Sequence, residues 1–274
     1  MYEKSGWLPG VTVRGMGGRS KKKRLDTLLV DRGLAENVTE AAALVGTGRV
    51  CVDGNPFCKA GNLYATECQL TLKEKEPFVS RGGKKLAAGL AAFSIYPEGL
   101  VCADIGCSTG GFTDCLLQNG AARVYAVDVG YGVLDWTLRQ DERVVVLERC
   151  NARYLTEKDI SENIDLCVVD ASFISLELLI DPMISLFQGE IRIVALVKPQ
   201  FELPREKVVR GGVVREKHLQ EEALAKIMQF GRSLNLHCQG VIPSPIQGAK
   251  GNQEYLMYLT GAAGCTAPGD RRRV

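Results

Sequence analysis

Residues 101–112 read Val-Cys-Ala-Asp-Ile-Gly-Cys-Ser-Thr-Gly-Gly-Phe, an apolar run that meets a carboxylate and then three glycines. Glycine lets the backbone approach a ligand closely, and the start of a following helix offers unpaired N–H groups. The spacing over Gly106, Gly110 and Gly111 is G-x-x-x-G-G. That is not the G-x-G-x-x-G of a dinucleotide fingerprint, and no G-K-[ST] follows to make a phosphate loop. Asp104, just ahead of the turn, suits a ligand bearing positive charge, such as the ammonium of an amino acid. Asp128 ends the next apolar run, where a carboxylate can accept hydrogen bonds from both hydroxyls of a ribose. An ammonium, a ribose and a seat on a glycine loop together describe S-adenosylmethionine. Its expected site is Asp104, Gly106, Ser108, Thr109, Gly110, Gly111, Phe112 and Asp128.

Other chemistries are poorly served. The ten cysteines include no C-x-x-C pair, and several lie inside apolar runs, as Cys102 and Cys167 do. Free thiols there behave as small hydrophobes in a reducing cytosol. With two histidines in the whole chain, His218 and His237, a zinc site or a Ser-His-Asp triad is hard to assemble. Residues 1–20 lack an apolar signal-peptide core, and no apolar run approaches the ~18–20 residues that cross a bilayer. The expectation is a cytoplasmic protein without membrane insertion.

The elements that must carry the loop are legible as apolar runs. Strands are expected over 100–104, 123–128, 144–147, 164–169 and 191–197, with helical stretches between them. That alternation predicts a mainly parallel sheet covered on both faces. Runs at 236–242 and 255–259 are expected to form an antiparallel pair at one edge. The fold class is therefore α/β, a Rossmann-like sheet with flanking helices.

A small α+β module precedes it. Leu25, Leu28 and Leu29 recur at helical spacing, and Arg32-Gly33 closes that helix. A second helix is expected over 38–47, capped by Asn37. Strands near 49–52 and 69–73 flank an Asp53-Gly54-Asn55-Pro56 turn, a hairpin signal. Positive charge gathers here: residues 1–90 hold 15 Lys/Arg against 9 Asp/Glu, and the remainder holds 19 against 23. A basic front end meets a polyanion first. The expected boundaries are a flexible extension over 1–22, this module over 23–75, the larger domain over 80–262 and a flexible tail over 263–274.

The pattern Arg24-Leu25-Asp26, Leu28-Leu29-Val30, Arg32-Gly33-Leu34-Ala35, then Gly48-Arg49-Val50-Cys51-Val52-Asp53-Gly54, resembles the ribosomal-protein-S-four-like RNA-binding domain. Asn37-Val38 departs from the Ser-Arg usual in that family. The larger domain resembles the TlyA family of ribosomal RNA 2′-O-methyltransferases, relatives of the FtsJ-type enzymes. The carriers are Ser80-Arg81-Gly82-Gly83-Lys84-Lys85-Leu86, the 104–113 loop, Ala126-Val127-Asp128-Val129-Gly130-Tyr131-Gly132, Asp170-Ala171-Ser172-Phe173-Ile174-Ser175-Leu176, Leu196-Val197-Lys198-Pro199-Gln200-Phe201-Glu202 and Gly251-Asn252-Gln253-Glu254. That resemblance implies a Lys-Asp-Lys-Glu catalytic set at Lys85, Asp170, Lys198 and Glu254.

A ribose 2′-hydroxyl is a poor nucleophile, so a base must take its proton as the bond forms. Lys198 is expected to be that base, oriented by Asp170, while Lys85 and Glu254 position the ribose. Asn151 is expected at the adenine edge, and Phe173 is expected to pack in the core. RNA contacts are expected from Lys21, Lys22, Lys23, Arg24, Arg32, Arg49, Arg81, Arg210 and Arg215, the last two on a mobile basic loop over 210–215. The implied partner is ribosomal RNA or a ribosomal subunit. Membrane lysis, from the haemolysin label some family members carry, and non-catalytic RNA binding are the alternatives.

Overall fold

In the computed structural model, which describes residues 21–73, 76–209 and 211–264, the chain divides into two compact units, Met1–Glu76 and Pro77–Val274. Of the flexible segments expected over 1–22 and 263–274, residues 1–20 and 265–274 lie outside the described residues, and Lys22 already belongs to a strand.

The first unit runs β1 (Lys22–Arg24), α1 (Leu25–Asp31), α2 (Val38–Gly46), β2 (Val50–Val52), β3 (Leu63–Ala65) and β4 (Leu70–Leu72). Leu25, Leu28 and Leu29 of α1 and Ala41, Leu44 and Val45 of α2 meet Val50, Val52 and Leu70 in one apolar cluster. Asn37 caps α2 by accepting from Glu40 N at 2.9 Å, and the Glu40 carboxylate accepts from Glu36 N at 2.7 Å. The first bond satisfies an amide that the helix start leaves open, and the second fixes the residue before the cap. The strands differ from the expected hairpin. The Asp53-Gly54 turn forms, bridging Val52 to Asn55, but the chain then departs. Pro56 has no N–H with which to continue a ladder. The intervening segment supplies β3, which pairs antiparallel with β1, before β4 returns to pair with β2. Two separate two-stranded ladders replace one small sheet.

The second unit runs α3 (Gly82–Ala92), β5 (Val101–Ile105), α4 (Gly111–Gln118), β6 (Arg123–Val127), α5 (Trp136–Arg139), β7 (Val144–Leu147), β8 (Leu166–Val169), α6 (Glu177–Ile184), β9 (Glu190–Val197), α7 (Pro199–Glu202), α8 (Lys217–Ser233), β10 (His237–Pro243) and β11 (Tyr255–Ala262). Seven strands form one sheet in the order β10-β11-β9-β8-β5-β6-β7. The five from β5 to β9 are parallel to their neighbours, and β11 runs antiparallel between β9 and β10.

Side chains alternate across a strand, and here both faces are buried. Ala103, Ile105, Tyr125, Val127, Cys167 and Val169 face Leu179, Ile180 and Met183 of α6 and Ile227 of α8. Cys102, Val124, Ala126, Leu166 and Val168 face Leu86 and Leu90 of α3 and Phe112, Cys115 and Leu116 of α4. Period-two strands covered on both sides read as nearly continuous apolar runs, which is why the sequence reveals them. The antiparallel pair sits at an edge as expected, with β10 outermost.

α3 is seated by its glycines. A Cβ on Gly83 would lie 2.3 Å from Cγ of Phe78, so the ring occupies the space a side chain would need. Gly83→Ala should therefore destabilise the second unit by about 1–3 kcal/mol through overpacking. A thermal melt of the variant reads this as a lowered Tm, and an unchanged Tm would contradict the packing.

Candidate active site

The sheet order reverses at β5: the chain builds outward to β7, then returns to place β8 on the other side of β5. Such a reversal leaves a crevice at the carboxyl ends of the strands. The glycine loop leaves β5 there, Asp170 follows β8 and Lys198 follows β9. A cavity of about 450 Å³ opens at this edge, a size ordinary for small-molecule sites. Its wall includes Lys85, Asp170, Lys198 and Glu254 together with Gly106, Ser108, Thr109, Gly111 and Phe112.

The four charged residues form two ion pairs. Lys85 Nζ donates to Glu254 Oε2 at 2.6 Å, and both side chains are largely buried. Lys198 Nζ lies 2.6 Å from Asp170 Oδ1 and donates to Ser172 Oγ at 2.8 Å. Lys85 reaches the cavity from α3. Glu254 arrives by register: the antiparallel pairing sets Tyr255 opposite Val197, so the residue before β11 lies across from the residue after β9. Gly248 makes room for that carboxylate, since a Cβ there would meet Glu254 Oε1 at 1.9 Å.

Gly106 ties the glycine loop to Asp170. Its φ is +79°, and a Cβ would lie 2.8 Å from the Asp170 carbonyl oxygen and 3.1 Å from Ala171 Cα. Only glycine tolerates both the backbone angle and the approach. Gly111 is equally confined, with a Cβ falling 2.2 Å from Ser80 Oγ and 2.9 Å from Gly83 N. The segment leading into α3 is held to α4 as well, by Val79 N donating to Asp114 Oδ2 at 2.8 Å.

Some expected cofactor residues stand apart from the cavity wall. Asp104 is wholly buried beneath the loop, where Thr113 Oγ1 donates to its Oδ2 at 2.6 Å and its Oδ1 has no partner. That placement does not fit direct contact with an ammonium. Asp128 accepts from Ser108 N at 2.8 Å and Gly130 N at 2.7 Å, binding the loop to β6. Asn151 caps a short 3₁₀ turn over Ala152–Tyr154 by accepting from Arg153 N. Gly110, with φ +94°, starts α4.

Burial pushes the Asp104 carboxyl up to about 7 against the pull of Thr113, and the negative charges of Asp170 and Asp128 push the same way. An acidic floor under a glycine loop, with one carboxylate oxygen unsatisfied, fits a group that brings positive charge. S-adenosylmethionine carries two such charges, and the residues present fit it.

Phe173 overturns its expectation. It is 90% exposed at the cavity wall, with φ +64° and its ring centroid 5.1 Å from that of Phe201. A large side chain in that backbone region is an outlier. The basic loop is also corrected. Arg210 lies outside the described residues, but 211–215 are pinned: Val214 N donates to Asn252 Oδ1 at 2.9 Å, and Asn252 Nδ2 donates to Gly212 O at 2.8 Å. Arg215 is exposed, as is Arg81 at the cavity wall.

In the first unit Lys21 and Lys22 are exposed, whereas Lys23 pairs with Asp31 and Arg24 with Asp26. Arg32 donates to Thr66 O at 2.6 Å and Arg49 to Lys73 O at 3.2 Å. Sequence reasoning did not single out Ser172, Gly248 or Gln200. Ser172 and Gln200 lie within quoted motifs and Gly248 just ahead of one, but only geometry reveals their places at the cavity.

Comparison with known proteins places this site in a wider set. Residues 78–260 match the family described as FtsJ-like methyltransferase. The chain is 44% identical over 242 residues to the 16S/23S rRNA (cytidine-2′-O)-methyltransferase TlyA of Mycobacterium tuberculosis, covering 88% of this chain and 90% of that one. It is 38% identical to Hemolysin A of Brachyspira hyodysenteriae, covering 86% and 99%. A solved structure from Streptococcus thermophilus, also hemolysin-named, is 41% identical with a TM-score of 0.68, covering 89% of this chain and 90% of that one.

The acidic floor has a measurable signature. A native carboxyl at about 7 binds its proton more tightly than the unfolded chain, whose Asp titrates near ~3.9. Its stabilising contribution is complete below ~4 and is lost as pH rises through 7. Asp104→Asn, which carries no ionisable group, should flatten the fall in Tm between pH 5 and pH 8. Parallel Tm–pH curves for the two proteins would contradict the assignment.

Proposed function

The chain belongs to the FtsJ-like methyltransferase family, and on that premise we infer that it methylates ribosomal RNA at a ribose 2′-hydroxyl, with cytidine as the nucleotide. The single observation that carries the reading is the pair of lysine–carboxylate contacts facing the glycine loop across one cavity.

S-adenosylmethionine, when bound, supplies a methyl group on a positively charged sulfonium. Gly106, Ser108, Thr109, Gly111 and Phe112 would hold it from the cavity wall. Asp128 would take the ribose hydroxyls with the lone pairs left over from Ser108 N and Gly130 N. Asp104 acts from beneath, through its charge rather than by contact.

Lys198 takes the proton of the attacking 2′-hydroxyl. A neutral amine keeps two N–H bonds and one lone pair. Asp170 and Ser172 hold two of the tetrahedral directions on Nζ, so the lone pair of the neutral form is left a fixed third direction. With the methyl and its leaving sulfur supplied by the bound cofactor, Nζ of Lys198 would hold the proton that the hydroxyl releases as its oxygen bonds to the methyl carbon. Lys85 and Glu254, paired on the facing side, position the ribose.

Phe173 and Phe201 offer stacking faces for an unstacked base, the usual mode of single-stranded RNA recognition. Arg81 and Arg215, with Lys21 and Lys22 of the first unit, supply charge for phosphates. The first unit acts as the S-four-like RNA-binding module, and the reaction takes place where ribosomes are, in the cytoplasm. The hemolysin names of some relatives raise lysis as an alternative, yet among the described residues no helix is long and apolar enough to cross a membrane.

The test is transfer of labelled methyl groups to ribosomal subunits. Lys198→Arg keeps a cation beside Asp170 but cannot deprotonate at neutral pH. It should lose about 10²–10⁴-fold in turnover while still binding S-adenosylmethionine. Near-normal turnover would remove Lys198 from its role. Phe173→Ala should raise KM for RNA and leave cofactor affinity unchanged, and an unaltered KM would remove the stacking role.

A further inference from the structure

The strained backbone at Phe173 needs something to hold it, and Glu202 is placed to do so. The residue is 3% exposed, outside the cavity wall and four residues beyond Lys198. Ser175 Oγ donates to Glu202 Oε2 at 2.6 Å, and Leu176 N donates to Oε1 at 3.0 Å. Burial pushes its carboxyl up, against the pull of Ser175, Leu176 and Lys226. Lys226 Nζ lies 3.8 Å from Oε2 and donates to the Glu202 carbonyl at 3.0 Å, while pairing with Glu177 at 2.9 Å. Leu176 precedes α6 and makes no side-chain cap. The carboxylate thus supplies, from another element, the acceptor that a helix start needs.

What lies between the anchors matters more. The segment 170–176 leaves β8 with Asp170 N donating to Ile105 O at 2.9 Å and Gly106 packed on the Asp170 carbonyl. It ends at the two bonds to Glu202. Between these fixed ends stand Ser172, which accepts from Lys198, and Phe173 at positive φ. Backbone strain of that kind persists only where the surroundings over-determine it.

Resting on the methyl-transfer reading above, we propose that Glu202 is a positioning residue for that reaction: it ties α7, the short helix after β9, to the loop after β8 and so sets Ser172 against Lys198 and turns Phe173 outward. Without it the 171–175 segment relaxes, Phe173 leaves its positive φ, and Lys198 loses one of the two contacts that aim it.

Three variants of the full chain test this. Glu202→Leu fills the space with neither acceptor. Glu202→Gln keeps an acceptor for Leu176 N and a donor for Ser175 Oγ. Ser175→Ala removes one bond and leaves the carboxylate. If Glu202 served only to fill a buried site, Leu would match Gln, because removing a buried charge is often neutral or stabilising. The positioning role gives the opposite order. Misplacement by about 1 Å can cost 10²-fold, so Glu202→Leu should lower kcat about 100-fold, Glu202→Gln should restore most of it, and Ser175→Ala should fall between. S-adenosylmethionine affinity should stay unchanged in all three.

The second readout needs no substrate. With fluorophenylalanine incorporated, the ¹⁹F resonance of Phe173, assigned by its loss in Phe173→Leu, should shift in Glu202→Leu and return in Glu202→Gln. A folded Glu202→Leu protein with an unmoved Phe173 resonance overturns the proposal, as does equal kcat for Leu and Gln. If Glu202→Leu does not fold, Ser175→Ala decides, and a wild-type resonance and kcat there overturn it. Wild-type protein that binds cofactor yet methylates no RNA would sink the functional reading instead, whatever the resonance does.

Discussion

Four charges are gathered at one edge of an apolar sheet, and that edge tolerates them only because they pair across different elements. Lys85 comes from a helix before the first strand of the sheet, Asp170 and Lys198 from the ends of two parallel strands, and Glu254 from the residue before an antiparallel one. Stripping a buried ion of its partner costs about 3–5 kcal/mol. Each carboxylate therefore constrains where the opposing lysine, and the element behind it, can sit. The same pairing that stabilises the edge holds two amines facing a single cavity.

The glycine loop is subject to a second constraint, close approach in two directions. Gly106 presses against the strand-end segment bearing Asp170, and Gly111 against the segment that begins α3 and leads to Lys85. Glycines that a sequence reader assigns to a ligand are thus also demanded by protein backbone. Loop and charge pairs are in register because the loop is the surface on which the segments bearing Asp170 and Lys85 both rest.

The sheet was legible because burial on both faces makes each strand a continuous apolar run; all five parallel strands fall within a residue or two of their expected positions. The four paired charges were legible through motifs, while their pairing depends on contacts between residues up to 169 positions apart, as Lys85 and Glu254 are. What the sequence hid has physical reasons. Phe173 looks like core material by composition, and nothing local declares a positive φ. Asp104 looks like a ligand group until the alternation of its strand turns it inward to Thr113. In the small unit, Asp53-Gly54 signals a turn, and the turn exists, but Pro56 diverts the chain after it. Arg32 and Arg49 read as phosphate contacts, although their guanidinium groups are committed to carbonyls at chain crossings.

The position of β11 carries a consequence in time. It is the last strand of the sheet in sequence, yet it lies inside, between β9 and β10, and the residue before it completes one of the charge pairs. A ribosome threading out this chain releases the glycine loop, Asp170 and Lys198 well before Glu254. Until then Lys85 stands without its counter-ion and β9 has an open edge. The growing polypeptide thus holds a cradle with one charge pair still open, and the pair closes only when β11 slots between β9 and β10.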